Sequence, residues 1–281
     1  MANFTLHPGI GFEKSVDWLN QNLDSFFDGI SNSVMILIEK LESIFTTGHP
    51  LIMIGLLALF ALYVRGWKKW GLALFAVLGF LLIYAMELWD YTMQTLALVL
   101  VSSFLTLIIG VPLGILSGRN DHAKMIIRPC LDFMQTMPAF VYLIPAVLFF
   151  QLGKVPGVMA TVIFSMPPAV RLTSLGLRQV PEEVMEATRS YGATAFQQLF
   201  KVQLPIAMKS VLAGVNQTIM LSLSMVVIAA MIGAGGLGDQ VLKGITQLKI
   251  GLGFESGLAV VVLAIYLDRV TQALGTKWSK V

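Results

Sequence analysis

The chain has 281 residues, of which 56% are hydrophobic and only 12% charged, and its formal net charge is +3. Water-soluble domains carry about 25% charged residues, so this composition and a mean hydropathy of +0.79 exclude a soluble globular domain and indicate an integral membrane protein. The apolar runs are continuous instead of alternating, which excludes an outer-membrane barrel and predicts an all-α, polytopic fold.

Residues 1–47 form an amphipathic N-terminal segment. Apolar side chains recur at helical spacing from Glu13 to about Phe45, with acidic and amide side chains between them. This pattern predicts one or two amphipathic helices lying on a membrane surface, or equally a helical hairpin packed against the rest of the protein. In either arrangement, we expect that the segment does not span the bilayer.

About seven apolar runs follow, and we predict that each is a spanning helix. Several are shorter than the roughly 20 residues that cross a bilayer core, so flanking residues must complete them. The first two are expected to be accessory spans within residues 48–88, and the other five lie within a core at 89–272. The runs are 50–64, 71–86, 92–116, 133–151, 155–170, 210–232 and 254–267.

Positive charges alternate between the connections, and this pattern predicts the topology of a multi-pass cell-membrane protein. The more basic connections belong to the cytoplasm, so the N-terminal segment is expected outside and the tail 273–281 inside. Because these charges are scattered over short connections, they indicate no nucleic-acid partner. The basic residues are Arg65, Lys68 and Lys69; Arg119, Lys124 and Arg128; Arg171, Arg178, Arg189 and Lys201; and Arg269, Lys277 and Lys280.

The segment 173–209 is predicted to form a helix-turn-helix elbow in the cytoplasm. Pro181 suits the first position of a helix, where its missing amide hydrogen costs nothing. Glu182 and Glu183 follow in the first turn, where carboxylates interact favourably with the helix dipole. The first helix of the elbow should therefore begin here and extend to about Tyr191.

A turn at Gly192 divides the elbow. Glycine adopts the backbone conformations of tight turns without a steric penalty, so the chain can reverse at this point. A second helix over 193–201 should follow and end before Pro205, because the residue before a proline disfavours helical geometry. One face of the elbow could then pack on the spans, while another is left for a partner.

The elbow carries a motif with a distinctive spacing. This motif resembles the EAA motif of the permease subunits of bacterial ABC importers, although Thr188 replaces the usual second alanine and Val202 the usual isoleucine. The resemblance implies that the elbow seats in a groove on an ATP-hydrolysing subunit, with Tyr191 filling part of that groove. The matching residues are Glu186, Ala187, Gly192, Val202, Leu204 and Pro205.

Three further stretches extend this resemblance to about 89–272. They read LDFMQTMPAFVYLIPAVLFF, FSMPPAVRLTSLGLRQVPEE and LSLSMVVIAAMIGAGGLG, and they are similar to the permeases of glycine betaine, carnitine and proline-betaine importers. The resemblance implies a five-helix type I ABC importer core. It also implies a second copy of the permease, two ATP-binding subunits and an extracellular or periplasmic substrate-binding protein. ATP and Mg²⁺ would bind the partner ATPase, and this chain would bind no cofactor.

The sequence contains no catalytic or metal-binding constellation. It has no GxxxxGK[ST] motif to hold ATP phosphates, and no His and Asp arrangement that supports a serine nucleophile. His7, His49 and His122 are far apart, and none has further ligands at metal-binding spacing. We therefore predict a non-enzymatic subunit without a metal site, whose energy comes from another subunit.

A glycine-rich turn follows the sixth run and contains Gly233, Gly235, Gly236 and Gly238. The segment satisfies GxGxxG, but a dinucleotide site also needs a preceding strand, whereas here a predicted span precedes it. The glycines are predicted to fold the backbone tightly at the outer end of the span, near a docking surface for the binding protein. Simple turn formation explains them at least as well.

Candidate residues for the substrate path lie in the fourth and sixth runs. A quaternary ammonium group donates no N–H hydrogen bond, so proteins usually hold it against aromatic faces. Pro138 and Pro145 free backbone carbonyls and can bend the fourth run, as a gate requires. Ordinary helix packing is the alternative role for every candidate. The candidates are Met137, Phe140, Tyr142, Ser222 and Met225.

These features favour the transmembrane subunit of an ATP-driven importer for betaine-type compatible solutes, working by alternating access. An importer of the same layout for methionine or another amino acid is the first alternative. A passive channel or a membrane scaffold with a partner-binding loop is an alternative from a different class. Charged residues are nearly absent from the runs, which argues against an ion-coupled carrier.

Overall fold

The computed structural model describes residues 8–66 and 70–278, and this part of the chain is helical without strands. Lys68, Lys69 and Lys280, which contribute to the predicted topology, lie outside the described residues. Short 3-10 segments at Ala139–Tyr142 and Ala230–Ile232, and a π-helix at Leu199–Gln203, join some of the α-helices. The α-helices are α1 (Pro8–Thr46), α2 (Pro50–Arg65), α3 (Gly71–Ala85), α4 (Trp89–Arg119), α5 (Asp121–Thr136), α6 (Leu143–Phe150), α7 (Lys154–Arg178), α8 (Glu182–Ser190), α9 (Ala195–Gln198), α10 (Leu204–Ala229), α11 (Leu237–Thr246) and α12 (Ile250–Trp278).

Among the described residues, four helical segments are long and apolar enough to cross a membrane by themselves: α4, α7, Ala195–Ile232 and Ile250–Gly275. Two further pairs meet the same criterion together but are sharply bent, by 103° between Asn22–Thr46 and α2 and by 111° between α5 and Ala139–Phe150. Helix α3 is apolar but has only 15 residues. All seven predicted runs lie mostly in helices, and the all-α polytopic fold is confirmed. Instead of seven separate spans, the described residues contain four, or up to six if each bent pair is one span.

The bend within the fourth predicted run lies at Met137 and Pro138. Met137 has an extended backbone with φ −76° and ψ 136°, which is the conformation that a following proline favours. Pro138 is also extended, and its ring removes the amide that would continue the helix. The run 133–151 is consequently two helices at a steep angle, joined by a 3-10 turn.

The centre of the fold is the packing of α7 against α4 and α10. The α-carbon of Gly114 lies so close to α7 that a β-carbon there would be 2.6 Å from Thr173 Cβ and 2.8 Å from the Val170 carbonyl oxygen. A β-carbon on Gly176 would similarly be 2.7 Å from Ser210 Cβ of α10. Small residues are what allow membrane helices to approach this closely.

Buried hydroxyl groups connect the same three helices. Thr106 of α4 and Ser165 of α7 have their hydroxyl oxygens 3.1 Å apart, and Ser222 of α10 donates to Ser165 at 3.1 Å. All three side chains are buried. Because no water competes for these groups in a membrane interior, the hydrogen bonds hold α4, α7 and α10 in one register.

Helix α1 is kinked at Leu23, and the part after the kink packs on the rest of the protein. Val34 and Ile38 are buried in the main apolar core. The ring of Phe27 stacks on that of Phe149, with centroids 4.7 Å apart. The N-terminal segment is thus attached to the chain that enters α7.

Candidate functional site

The elbow begins with α8, which starts one residue later than the sequence indicates. Pro181 is the residue before the helix, with an extended backbone, instead of its first helical residue. Glu182 and Glu183 occupy the first turn, and Arg189 occupies the last. The negative charges therefore lie at the positive end of the helix dipole and the positive charge at its negative end, and both interactions are favourable. Glu186 and Ala187 both lie on exposed positions of α8.

The turn after α8 is a Schellman motif centred on Gly192. The backbone N–H of Gly192 donates to the Arg189 carbonyl oxygen at 2.9 Å, and that of Ala193 donates to Thr188 at 3.1 Å. Gly192 has φ +72°, in the left-handed region that favours glycine. A β-carbon at Gly192 would meet nothing within 4 Å, so the backbone conformation and not lack of space requires glycine.

The second part of the elbow starts from a capping box. Thr194 Oγ1 accepts from the Gln197 backbone N–H at 3.3 Å, while Gln197 Oε1 accepts from the Thr194 N–H at 2.9 Å. These reciprocal bonds satisfy two amides at the start of α9. The sequence predicts that this helix begins at Ala193, and the capping box places its first residue at Ala195.

The predicted helix end before Pro205 is wrong. Helical structure continues from Ala195 through the π-helix Leu199–Gln203 into α10 without a break. Pro205 falls in the first turn of α10, where a proline is tolerated, and the wider π-helix changes the hydrogen-bond register immediately before it. The elbow is therefore joined to the core by one continuous helical segment.

Three aromatic side chains of the elbow are exposed. Tyr191 is 92% exposed, Phe196 69% and Phe200 50%. Phe196 and Phe200 are four residues, about one helical turn, apart in the sequence. Their ring centroids lie 4.3 Å apart, so the two rings form one continuous surface. We call Tyr191, Phe196 and Phe200 the elbow aromatic patch. The sequence prediction missed both phenylalanines, although aromatic residues four apart in a polar segment were a usable signal.

The opposite side of the elbow is anchored to the core. Leu199 is buried with Leu177 of α7 and Ala207 and Val211 of α10, and Leu204 packs against this cluster. Val202 and Leu204 are half-buried, whereas Pro205 is exposed. The predicted elbow residues thus divide into two sets. Val202 and Leu204 lie on the inner side, and the exposed residues are Glu186, Ala187, Tyr191, Gly192 and Pro205.

Most of the substrate-path candidates lie close together, inside a single chain. Tyr142 and Met225 are buried in one apolar cluster, and Met137 packs against that cluster. Ser222 belongs to the buried hydroxyl chain that joins α4, α7 and α10. Only Phe140 is exposed. The cavities at Arg178, at Asn216 and at Leu100 are lined by other side chains.

The glycine-rich turn packs against α4 and α10. Gly233, Gly235 and Gly236 have positive φ, and the Gly236 N–H donates to Gln94 Oε1 at 3.3 Å. A β-carbon on Gly238 would lie 2.5 Å from the Val227 carbonyl oxygen. Gly236 and Gly238 are buried, so only Gly233 and Gly235 present accessible surface to a partner.

Among residues 8–66 and 70–278, no three His, Cys, Asp or Glu side chains converge in a metal-binding arrangement.

Comparison with known structures supports a transporter fold. The inward-facing MetNI methionine ABC transporter matches with a TM-score of 0.62 and 21% identity, over 68% of this chain and 95% of that chain. At this identity the likeness concerns the fold alone.

Sequence relatives match nearly the whole chain. Their match therefore extends beyond residues 89–272, to which the sequence motifs limited the resemblance, and includes most of the residues before 89. The glycine betaine transport system permease OpuAB of Bacillus subtilis is 50% identical over 94% of this chain and 93% of its own length. The glycine betaine/carnitine transport permease GbuB of Listeria monocytogenes is 51% identical over 94% of both chains. Residues 110–280 also match the family described as binding-protein-dependent transport system inner membrane component. This multi-pass membrane protein therefore belongs to that family.

Proposed function

We propose that the chain is the transmembrane subunit of an ATP-driven importer of glycine betaine or a related quaternary amine. The observation that carries this proposal is the 50% and 51% identity to glycine betaine permeases over 94% of the chain. The methionine transporter is similar at only 21% identity, so that likeness concerns the fold and does not favour an amino-acid substrate. Like its relatives, the chain is a non-enzymatic permease subunit, and a passive channel or scaffold does not explain this family membership.

The elbow aromatic patch is the proposed contact for the ATPase. Tyr191, Phe196 and Phe200 expose large apolar surfaces next to the charged residues of α8, as a docking surface requires. Two such ATPases, carrying ATP and Mg²⁺, would act on two copies of the permease. A substrate-binding protein would deliver the solute at the opposite side.

The continuous helical segment Ala195–Ile232 supports a mechanical link between ATPase and transport path. A displacement of the elbow acts directly on α10, because no flexible loop separates them. Helix α10 also carries Ser222 and Met225, which lie near the predicted path. ATP-driven movement of the elbow would thereby open and close the path by alternating access.

The path itself is proposed to run between two permease copies. Tyr142 and Met225 are buried within one chain, so a solute in contact with this region approaches from the side where Phe140 is exposed. Phe140 offers an aromatic face to a quaternary ammonium group. Met137 lies three residues before Phe140, at the bend between α5 and α6, where a small change of angle would alter access.

The proposed orientation places the elbow in the cytoplasm and the N-terminus outside. Arg119, Arg178 and Arg189 lie at the helix ends nearest the elbow, whereas Glu87 and Asp90 lie at the start of α4. An excess of Arg and Lys marks cytoplasmic connections. The glycine-rich turn, with Gly233 and Gly235 accessible, would then lie at the outer side, where the binding protein docks.

Reconstitution in lipid vesicles tests the function. The chain is co-purified with its ATPase, reconstituted and supplied with its binding protein. The vesicles should then accumulate labelled glycine betaine only when ATP is present on the side of the membrane where the ATPase is bound. Unlabelled glycine betaine should compete, whereas methionine at the same concentration should not. Competition by methionine would assign the amino-acid alternative, and ATP-independent equilibration of the label would indicate a channel.

A further inference from the structure

A basic cavity of about 300 Å³ lies between α4, α5 and α7, at the end of the molecule that carries the elbow. Its position follows from the chain path, because α7 ends at Arg178 and the elbow begins at Glu182. Ser117 of α4 and Ser174 of α7 contribute hydroxyl groups. Four cationic side chains line it, namely Lys124, Arg128, Arg171 and Arg178.

Two of these cations are fixed by protein partners. Arg171 is paired with Asp132. Arg178 contacts Asp121 at 2.8 Å and donates to the Ser117 carbonyl oxygen, also at 2.8 Å. Both arginines are therefore held in place at the wall of the cavity and joined to α4 or α5.

The other two cations, Lys124 and Arg128, have no ion pair among the described residues. They lie four residues apart in α5, on the same side of the helix. Asp132 is the sole carboxylate in the cavity lining, and Asp121 adds a second one beside Arg178, so two carboxylates face four cations. The two cations left without an ion pair add like charge around a partly open cavity, which is unfavourable unless an anion compensates it.

The surroundings of the cavity match the edge of a membrane. The outer face of α5 exposes Met125, Ile126 and Phe133, while Lys124 and Arg128 turn toward the cavity. An amphipathic helix with an apolar face and a basic face lies in the boundary between lipid tails and headgroups. Basic pockets between helices at this depth bind phosphate-bearing headgroups, and guanidinium groups match phosphate geometry.

We propose that this cavity is a binding site for a phosphate group, carried by an anionic phospholipid or free in solution. The phosphate oxygens would accept hydrogen bonds from Lys124 and Arg128 and from the fixed Arg171 and Arg178. The bound anion would join α5 to the end of α7, immediately before the elbow. The site is independent of which solute is transported.

A ligand-induced stability measurement tests the site on the purified, delipidated full chain in a neutral detergent at low ionic strength. Phosphatidylglycerol should raise the unfolding midpoint more than phosphatidylcholine does. The variant Lys124→Gln/Arg128→Gln should bind phosphatidylglycerol about tenfold or more weakly, since each cation near an anionic headgroup contributes about 1 kcal/mol. Without lipid, its midpoint should equal or exceed that of the wild type, because neither side chain has an ion pair to lose and the repulsion among the cations is reduced.

The matched control is Arg119→Gln/Lys201→Gln, which removes two exposed cations at the same end of the molecule but outside the cavity lining. It should keep the full response to phosphatidylglycerol, and Lys124→Arg/Arg128→Lys should keep most of it. An equal loss in the Arg119 and Lys201 control would overturn the proposal. A similar rise with inorganic phosphate would support it and identify a free anion as a sufficient ligand, whereas a response to phosphatidylglycerol alone would identify the lipid.

Discussion

Gly192 is required by the backbone of the elbow and not by its packing. Its φ of +72° lies in the left-handed region, and the space around its α-carbon is open. A β-branched residue there would oppose the turn by about 1–2 kcal/mol, whereas asparagine tolerates this conformation. The size of the new side chain should therefore matter less than its backbone preference.

We expect Gly192→Val to lower ATP-driven uptake strongly while the chain still inserts in the membrane, with only the small fall in unfolding midpoint that a cost of about 1–2 kcal/mol implies. The strained turn would reorient α8 relative to α9, so ATP hydrolysis would no longer be coupled to the movement of α10. Gly192→Asn should retain most of the uptake in the same reconstituted vesicles. Equal uptake by both variants would contradict this account of the turn.

The close approach of α4 and α7 depends on Gly114. A β-carbon at this position would lie 2.6 Å from Thr173 Cβ and 2.8 Å from the Val170 carbonyl oxygen, so the two helices must separate to accept it. Overpacking of this kind costs about 1–3 kcal/mol, more than the gain of up to about 1 kcal/mol from replacing a helical glycine by alanine. Gly114→Ala should therefore lower the unfolding midpoint in detergent.

Gly257 of α12 provides the matched control, because a β-carbon there would meet nothing within 4 Å. Gly257→Ala should leave the midpoint unchanged or raise it slightly, since only the helix propensity changes. If the two alanine variants shift the midpoint in the same direction and by the same amount, the close approach of α4 and α7 does not depend on glycine at position 114.

Much of this helical architecture could be predicted from the sequence, because long apolar runs in a bilayer must be helical. The bend at Pro138 could be predicted only as a possibility. A proline permits a range of angles, and the 111° observed depends on how Tyr142 and Leu143 pack against α7 and α10. Such contacts between distant parts of the chain are absent from local patterns.

The elbow shows the same limit at smaller scale. Its first helix and the turn at Gly192 follow from local preferences, and the structure contains both. The continuity through Pro205 was predicted wrongly, because a π-helix has no simple sequence signature and here it is anchored by the burial of Leu199 against α7. Tertiary packing decided a boundary that a proline rule alone would place elsewhere.

At the scale of the whole molecule, an ion pair attaches α1 to the start of α7. Glu42 Oε2 and Lys154 Nζ are 2.6 Å apart, with side chains only 17% and 27% exposed. Each charge sits at an unfavourable helix end, because Glu42 lies near the C-terminus of α1 and Lys154 is the first residue of α7. The pair thus offsets two local penalties while it holds the N-terminal segment on the core.

Exchanging the two charges should separate these effects. Glu42→Lys and Lys154→Glu each place like charges together and should increase hydrogen exchange of the amides of residues 22–46, with a loss of about 1 kcal/mol for each. The double exchange should restore protection to the wild-type level or above it, because each charge then also suits its helix dipole. The same exchange at the more exposed pair Asp239 and Lys243 of α11 should leave the hydrogen exchange of residues 22–46 unchanged. Unchanged protection in both single variants would show that packing by Val34, Ile38 and Phe27, and not the ion pair, holds α1 in place. Protection in the double variant as low as in the single ones would show that the pairing of the two charges is not the cause of the loss.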